Sequence, residues 1–153
     1  MPSRRDQIRM TEPEIEAFLE SRSVGVLGTV DATGAPHMVN MAYIFRDGAI
    51  LFSSFAKAQK VVNLRRHPRA SFLVEIPDPY HEIRGVLARG DVRVIDDPEG
   101  VRSAMEEIQA AQLRRNSPQP PVDVGRVAPK RVLCVLEPDH IASWDHSRLG
   151  GAY

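Results

Sequence analysis

The stretch Ser53–Ala70 concentrates positive charge in a chain whose formal net charge is zero. No aspartate or glutamate occurs between Gly48 and Val74. The lysines and arginines inside it are Lys57, Lys60, Arg65, Arg66 and Arg69. Two interpretations compete, a binding site for a phosphate or carboxylate and an ordinary solvated face. The missing acids weaken the second interpretation, because exposed helices usually carry both signs of charge.

Polar side chains in this stretch have the spacing of groups that converge at one end of a helix. The N-terminus of a helix presents unpaired N–H groups and partial positive charge, so it attracts phosphate. Ser53 or Ser54 is predicted to cap the helix, with Lys57 near its first turn. Lys60 and Asn63 share one side of the helix a turn further on. This spacing predicts a small anion site built from hydroxyl, ammonium and amide groups.

Nucleic acid is the competing anion, because the three arginines of the stretch could contact a phosphate backbone. The aromatic residues Phe52, Phe55 and Phe72 lie in apolar segments, however, and are predicted to be core side chains rather than exposed stacking platforms. The sequence pI of about 7.0 is also unlike that of a general nucleic-acid binder. We therefore expect no nucleic-acid partner.

The sequence gives little support for a metal site or for covalent catalysis. The five histidines form no H-x-H or H-x-x-x-H pair, so no metal site is predicted. Cys134 is the only cysteine, and its apolar neighbours predict a buried thiol without an internal disulfide. Asp145, His146 and Ser147 are adjacent, but neighbours in sequence rarely orient as a catalytic triad, and no G-x-S-x-G motif is present. No catalytic side chain is assigned.

Periodicity and turn signals predict the elements that position these residues. Thr11 with Glu14 predicts a capping box for a first helix, and Asp97 predicts the cap of a long helix. The inward side of that long helix is predicted to carry Val101, Met105, Ile108 and Leu113. A short helix lies between the third and fourth strands. The predicted strands are Val24–Val30, His37–Phe45, Ala49–Phe55, Ala70–Ile76 and Glu82–Ile95, followed by one or two closing strands over Lys130–Trp144.

The element order predicts a mainly β fold. The first three strands are expected to form an antiparallel meander, with the Asp47-Gly48 turn between the second and third. About six mostly antiparallel strands with peripheral helices predict a small barrel or a strongly curled sheet, in one domain over residues 1–153. No apolar segment is long enough for a membrane span, and no signal peptide is recognised. We therefore expect a cytoplasmic protein without a membrane partner.

Four segments of the chain carry a family resemblance: VGVLGTVDATGAPHMVNMAYIF, SSFAKAQKVVNLRRHPRASFLVE, EIRGVLARGDVRVIDDPE and SWDHSRLGG. From about Thr11 to Tyr153 the chain resembles the pyridoxamine-5′-phosphate-oxidase-like split β-barrel family, whose members bind flavin or deazaflavin. The K-x-x-N-L-R-R-x-P-R core and the S-W-D-H-x-x-L-G ending are most similar to the actinobacterial branch, which uses the deazaflavin coenzyme F420. Gln59 stands before Lys60 where the true oxidases have an arginine, so pyridoxine metabolism is not assigned.

The resemblance implies a homodimer with cofactor sites at the interface. It also implies hydride transfer between reduced F420 and a small organic acceptor. An FMN-dependent oxidase or reductase, and a non-catalytic carrier of flavin, deazaflavin or haem, are the alternatives. By resemblance, the cofactor phosphate binds near Ser53, Ser54, Lys57, Lys60 and Asn63. The backbone of Met38, Val39 and Asn40 would contact the ring, and Trp144 and Arg148 of the second subunit would close the pocket. From charge alone, the acidic tail of F420 could meet the three arginines Arg65, Arg66 and Arg69.

Overall fold

Residues 1–115 and 120–151 are described by the computed structural model, and within them seven strands form one antiparallel sheet. The strands are β1 Val24–Val30, β2 Pro36–Ala42, β3 Ile44–Arg46, β4 Ala49–Phe55, β5 Arg69–Ile76, β6 Arg84–Ile95 and β7 Arg131–Asp145. Their order across the sheet is β2-β1-β5-β6-β7-β4-β3. The helices are α1 Arg4–Ile8, α2 Glu12–Ser21, α3 Gln59–Arg66, α4 Pro98–Arg114 and α5 Val124–Val127. The prediction of a mainly β fold is confirmed.

The predicted strand His37–Phe45 is broken at Tyr43, and the break separates β2 from β3. Tyr43 is fully buried, its N–H donates to the carbonyl of Ser23 (3.0 Å), and its hydroxyl donates to the carbonyl of Leu19 (2.7 Å). β2 then pairs with β1, whereas β3 pairs with β4 at the opposite edge of the sheet. The predicted three-strand meander is therefore wrong, because the chain crosses from one edge to the other.

The curl of the sheet brings its two sides together without closing the barrel by hydrogen bonds. β2 approaches β4, although the two strands are not neighbours in the sheet. One apolar core fills the inside of the curl, where Phe72 packs against Tyr43 and Phe52 with ring centroids 5.2 and 5.9 Å apart. A second core lies outside, between α4 and one face of β3, β4 and β7. This is a split barrel with peripheral helices.

The helix and turn signals are largely confirmed, because each rests on local hydrogen bonds. Thr11 and Glu14 form the predicted capping box, and the Asp97 carboxylate accepts a hydrogen bond from the N–H of Gly100. Asp47 and Gly48 turn the β3–β4 hairpin with φ of 52° and 77°. Helix α1 was not predicted. No helix among the described residues combines the length and the apolar character needed to cross a membrane.

A single closing strand, β7, runs alongside β6 and places Trp144 over Gly85. A Cβ atom at Gly85 would lie 2.3 Å from Cζ2 of Trp144, so the indole needs a residue without a side chain beneath it. The indole N–H donates to the carboxylate of Glu75 (3.2 Å). The ladder between β6 and β7 shifts its register between Arg89 and Gly90. Trp144 is thus fixed by its own chain.

Replacing Gly85 with alanine should destabilise the fold, because the new methyl group displaces the indole of Trp144. We expect a loss of about 1–3 kcal/mol in the free energy of unfolding, the usual range for overpacking. Trp144 is the only tryptophan. Its fluorescence should therefore shift to the red as it leaves Gly85 and Glu75. Chemical denaturation followed by fluorescence measures both effects.

Gly28→Ala is the matched control, because it also adds a methyl group to a strand glycine. A Cβ atom there would meet the carbonyl oxygen of Ser71 at 3.7 Å, an ordinary contact. We expect a much smaller change in stability and no fluorescence shift. Equal losses at Gly85 and Gly28 would contradict the role given to the indole.

Candidate functional site

The two serines at the start of the basic stretch lie in a strand and do not cap the helix. β4 pairs with β7 as far as Phe55, and this ladder keeps Ser53 and Ser54 in extended backbone. Helix α3 begins only at Gln59, with Ala58 as its N-cap and without a capping side chain. The prediction that Ser53 or Ser54 caps the helix is therefore wrong. Both serines are nevertheless at a cavity.

The cavity has a volume of about 330 Å³ and lies between the end of β4, the edge strand β2 and helix α4. Its lining includes Asn40, Ser53, Ser54 and Lys60 from the predicted site residues. The other lining residues are Met41, Ala42, Phe55, Met105, Ile108, Gln109, Gln112, Val122, Val124 and Arg131. Of the predicted site residues, the fold therefore brings together one residue of β2, two hydroxyls of β4 and one ammonium group of α3.

Arg131 is a charged residue of this cavity that was not among the predicted site residues. It begins β7 and lies opposite Phe55 in the ladder. Its guanidinium group sits over the Phe55 ring, 4.2 Å from the centroid, and Nη1 donates to the side-chain oxygen of Ser53 (3.2 Å). Arg131 is far from the basic stretch in sequence. Only the pairing of β4 with β7 could have pointed to it.

Phe55 is not a core residue, although its apolar neighbours predicted one. Its side chain is 47% exposed at the cavity, whereas Phe52 and Phe72 are fully buried, as predicted. Phe55 ends β4 and belongs to neither the inner nor the second core. The exposed part of the ring adds an apolar surface beside the two cations.

Two cations, Lys60 and Arg131, dominate the electrostatics of the cavity. Burial, and then the charge of Arg131, hold the pKa of Lys60 below its ordinary value. Burial likewise lowers the pKa of Arg131. None of the lining residues is acidic, and within the described part of the chain neither cation forms an ion pair. An anion in this cavity would remove the repulsion between the two cations.

Two of the predicted phosphate ligands do not line the cavity. Asn63 is only 1% exposed; its amide N–H donates to the Thr29 hydroxyl (3.0 Å) and its oxygen accepts from Gln59 (2.7 Å). Both the amide nitrogen and the amide oxygen are therefore already hydrogen-bonded within the protein. Lys57 is exposed in the turn before α3. The two lysines and the asparagine do not converge on one point.

The remaining predicted site residues are spread over the molecule. Met38 is 66% exposed on β2, and Val39, its neighbour, packs partly against the inner core. Trp144 lies on Gly85, and Arg148 donates to the carbonyl of Arg9 (2.6 Å). None of these side chains lines the cavity of the same chain. Their predicted roles toward a cofactor or a second subunit stay predictions.

The three arginines after Asn63 bind groups of their own chain. Arg65 forms an ion pair with Asp96 (2.9 Å), and Arg66 donates to the carbonyl of Val30 (2.6 Å). Arg69 bridges two carboxylates, Asp91 at 2.9 Å and Asp139 at 2.7 Å. Folding therefore supplies the acids that the basic stretch lacks. These contacts give no support to a site for an acidic tail at these arginines.

Cys134 lies in the inner core, as its neighbours predicted, and burial raises the pKa of its thiol to about 12. It is therefore a poor nucleophile. In residues 1–115 and 120–151 no group of three or more histidine, cysteine or acidic side chains is arranged to hold a metal ion. The cavity beside Lys60 and Arg131 is thus the strongest candidate site of the described chain.

Comparison with known proteins assigns the fold and its family. Residues 11–145 match the family model described as pyridoxamine 5′-phosphate oxidase, so the match covers most of the chain. The chain belongs to this family of split-barrel proteins. The resemblance inferred from the four sequence segments is thereby confirmed.

Solved structures with this fold differ in what they bind. The conserved hypothetical protein Rv2991 from Mycobacterium tuberculosis is 35% identical, with a TM-score of 0.83 over 99% of this chain and 95% of that one. An F420 reductase is 26% identical, with a TM-score of 0.65 over 82% of this chain and 94% of its own. HutZ, a haem storage protein from Vibrio cholerae, is 16% identical, with a TM-score of 0.65 over 85% and 92% of the two chains. The last similarity concerns the fold alone.

Replacing Arg131 with methionine should raise the pKa of Lys60, because the nearby positive charge that disfavours its ammonium form is removed. The chain has only three lysines, Lys57, Lys60 and Lys130, so their side-chain resonances can be assigned by single substitutions. Titration of ¹³C-labelled lysine followed by NMR measures the shift.

Arg65→Met is the matched control for this titration. It removes one positive charge from the same region, but Arg65 is ion-paired with Asp96. We expect the pKa of Lys60 to stay where it is in the unsubstituted protein. An unchanged Lys60 pKa in the Arg131→Met protein would show that the two cations do not share one electrostatic site.

Proposed function

We propose that the protein is an oxidoreductase that binds reduced F420 and passes hydride to a small organic acceptor. The observation that carries this proposal is the pair of half-buried cations in a cavity without acidic residues. Such a cavity suits a phosphate group, which charge-assisted hydrogen bonds hold more strongly than neutral ones. The similarity to an F420 reductase over 82% of the chain supports the choice of cofactor.

Different residues of the cavity would bind different parts of such a cofactor. Lys60 and Arg131 would neutralise the phosphate, and Ser54 would add a hydroxyl donor. β2 is an edge strand of the sheet, so its outer backbone N–H and C=O groups have no ladder partner within the described chain. Asn40 of this edge strand lines the cavity, and its polar groups would suit the polar edge of a deazaflavin ring. The bound F420 would supply the hydride, while the protein positions and shields it.

The same cavity chemistry also fits the phosphate of FMN, and the fold is shared with a haem storage protein. An FMN-dependent oxidase or reductase is therefore the second candidate, and a carrier without turnover is the third. One titration separates all three. The protein, stripped of bound molecules, is titrated with F420, FMN and haem in separate experiments at fixed ionic strength.

We expect tight binding of F420 and weaker binding of FMN. Lys60→Met and Arg131→Met should each raise the dissociation constant about 10-fold or more, because each removes a charged hydrogen-bond donor. Lys130→Met is the matched control. It removes the same charge next to Arg131, but Lys130 is exposed and does not line the cavity. Tight binding of FMN without binding of F420 would favour an FMN-dependent oxidase or reductase instead.

Turnover is then measured as consumption of reduced F420 with quinones, nitroaromatic compounds and tetrapyrroles such as biliverdin. An acceptor that oxidises reduced F420 at a rate that falls in the Lys60→Met protein supports an enzyme. Tight cofactor binding without oxidation by any acceptor class would favour a carrier protein instead.

We further propose that the protein acts as a cytoplasmic homodimer. The composition supports the compartment, since the single cysteine suits a reducing environment. The exposed edge strand β2 supports the dimer. It carries Met38, 66% exposed, and pairs with β1, where Val30 is 37% exposed. An uncovered edge with apolar side chains is a surface that native proteins usually cover.

Sedimentation equilibrium should give twice the chain mass of 17.1 kDa. Met38→Glu should shift the equilibrium toward the monomer, because it adds a charge to the covered edge. Val62→Glu is the control, since Val62 is also half-exposed but lies on α3. A monomer at every concentration, with the cofactor fully bound, would rule out a site shared by two subunits.

A further inference from the structure

The inward side of α4 is apolar along most of its length. Val101, Met105 and Ile108 are buried and follow one another at helical spacing. Ala111 continues this buried stripe, and Gln112 beside it is partly buried and lines the cavity, whereas Leu113, which the sequence predicted on the inward side, is 54% exposed. A partly buried polar residue beside an apolar stripe departs from the pattern that stabilises a packed helix. Such departures are expected mainly at functional sites.

The amide nitrogen of Gln112 has no partner in the described chain. Nε2 is closed off from solvent and makes no hydrogen bond there. One turn earlier, Gln109 uses its side-chain oxygen to accept from the N–H of Val122 (2.8 Å). The two glutamines therefore differ, although both line the cavity. A buried donor without an acceptor destabilises a fold, and native proteins keep few of them.

Gln112 lines the cavity from a different wall than the cations do. Lys60 and Arg131 come from α3 and β7, whereas Gln112 comes from α4. The end of α4 is held in place by Arg115, whose Nη2 donates to the carbonyl of Glu20 at the end of α2. Nε2 is buried, so a side-chain rotation is needed for it to reach a ligand in the cavity, and the soft terminal torsion of a glutamine permits such a rotation. Both walls thus offer donors.

We propose that Gln112 is a specificity-determining residue that donates its amide N–H to a neutral acceptor on the bound cofactor. The acceptor is a carbonyl oxygen or a ring nitrogen, and it lies at a different wall of the cavity from the anionic group held by Lys60 and Arg131. This inference rests on the proposed function, because it takes the two cations as the phosphate site. It adds that the cavity binds two separate groups of one ligand, the anionic group and the neutral acceptor.

The free protein and the complex should then respond to one substitution in opposite directions. Gln112→Met keeps the length of the side chain and removes the unpaired donor. The unliganded protein should melt at a temperature about 2–4 °C higher, and the complex should lose a hydrogen bond. A residue with only a structural role would not raise one quantity while lowering the other.

The experiment compares Gln112→Met with the unsubstituted protein, using F420, FMN and inorganic phosphate as probes. We expect the dissociation constant of the preferred cofactor to rise roughly 5- to 10-fold, the effect of one lost neutral hydrogen bond. Phosphate binding should stay unchanged, because phosphate reaches only the cations. Leu113→Met, one position along on the exposed side, should change neither melting nor binding.

Three outcomes would overturn the inference. Unchanged cofactor affinity in Gln112→Met, with phosphate and cofactor binding normally to the unsubstituted protein, removes Gln112 and leaves the phosphate site standing. Unchanged cofactor affinity combined with a shift in sedimentation assigns the amide to a contact between subunits. If the unsubstituted protein binds none of the three probes, the proposed function fails and this inference fails with it.

Discussion

The break in the chain at Tyr43 is the constraint on which the site depends. With its ring in the inner core and its hydroxyl on the carbonyl of Leu19, Tyr43 ends β2 and sends the chain to the far edge of the sheet. β4 therefore runs beside β7, while β2 returns near β4 without pairing to it. The cavity lies between those two strands and helix α4. A continuous meander would have closed it with ladder hydrogen bonds.

Folding changes the charge environment of the cations in the basic stretch. In sequence, its cations appear equivalent and uncompensated. In the fold, Arg65 and Arg69 gain carboxylate partners from strands and loops far along the chain. Lys60 gains another cation, Arg131, in place of a counter-ion. Charge compensation in the folded chain, rather than charge density in the sequence, separates structural arginines from a pair suited to bind an anion.

Local signals predicted local structure well. The caps Thr11 and Asp97 and the Asp47-Gly48 turn need only neighbouring residues, and all three are present. The long-range features were beyond this reasoning. The position of β2 depends on the core around Tyr43, and Arg131 reaches the cavity only through the β4–β7 ladder. Of the predicted site residues, the four at the cavity are those that strand pairing happens to bring there: Asn40, Ser53, Ser54 and Lys60.

The contact of Arg115 with the carbonyl of Glu20 ties two helices that have different neighbours. α4 packs on the outside of the sheet, and α2 contributes Phe18 and Leu19 to the core inside it. The last turn of α4 cannot move away from the cavity without breaking this contact or drawing the end of α2 with it. This contact therefore ties the cavity wall to the carbonyl next to the one that accepts from the Tyr43 hydroxyl.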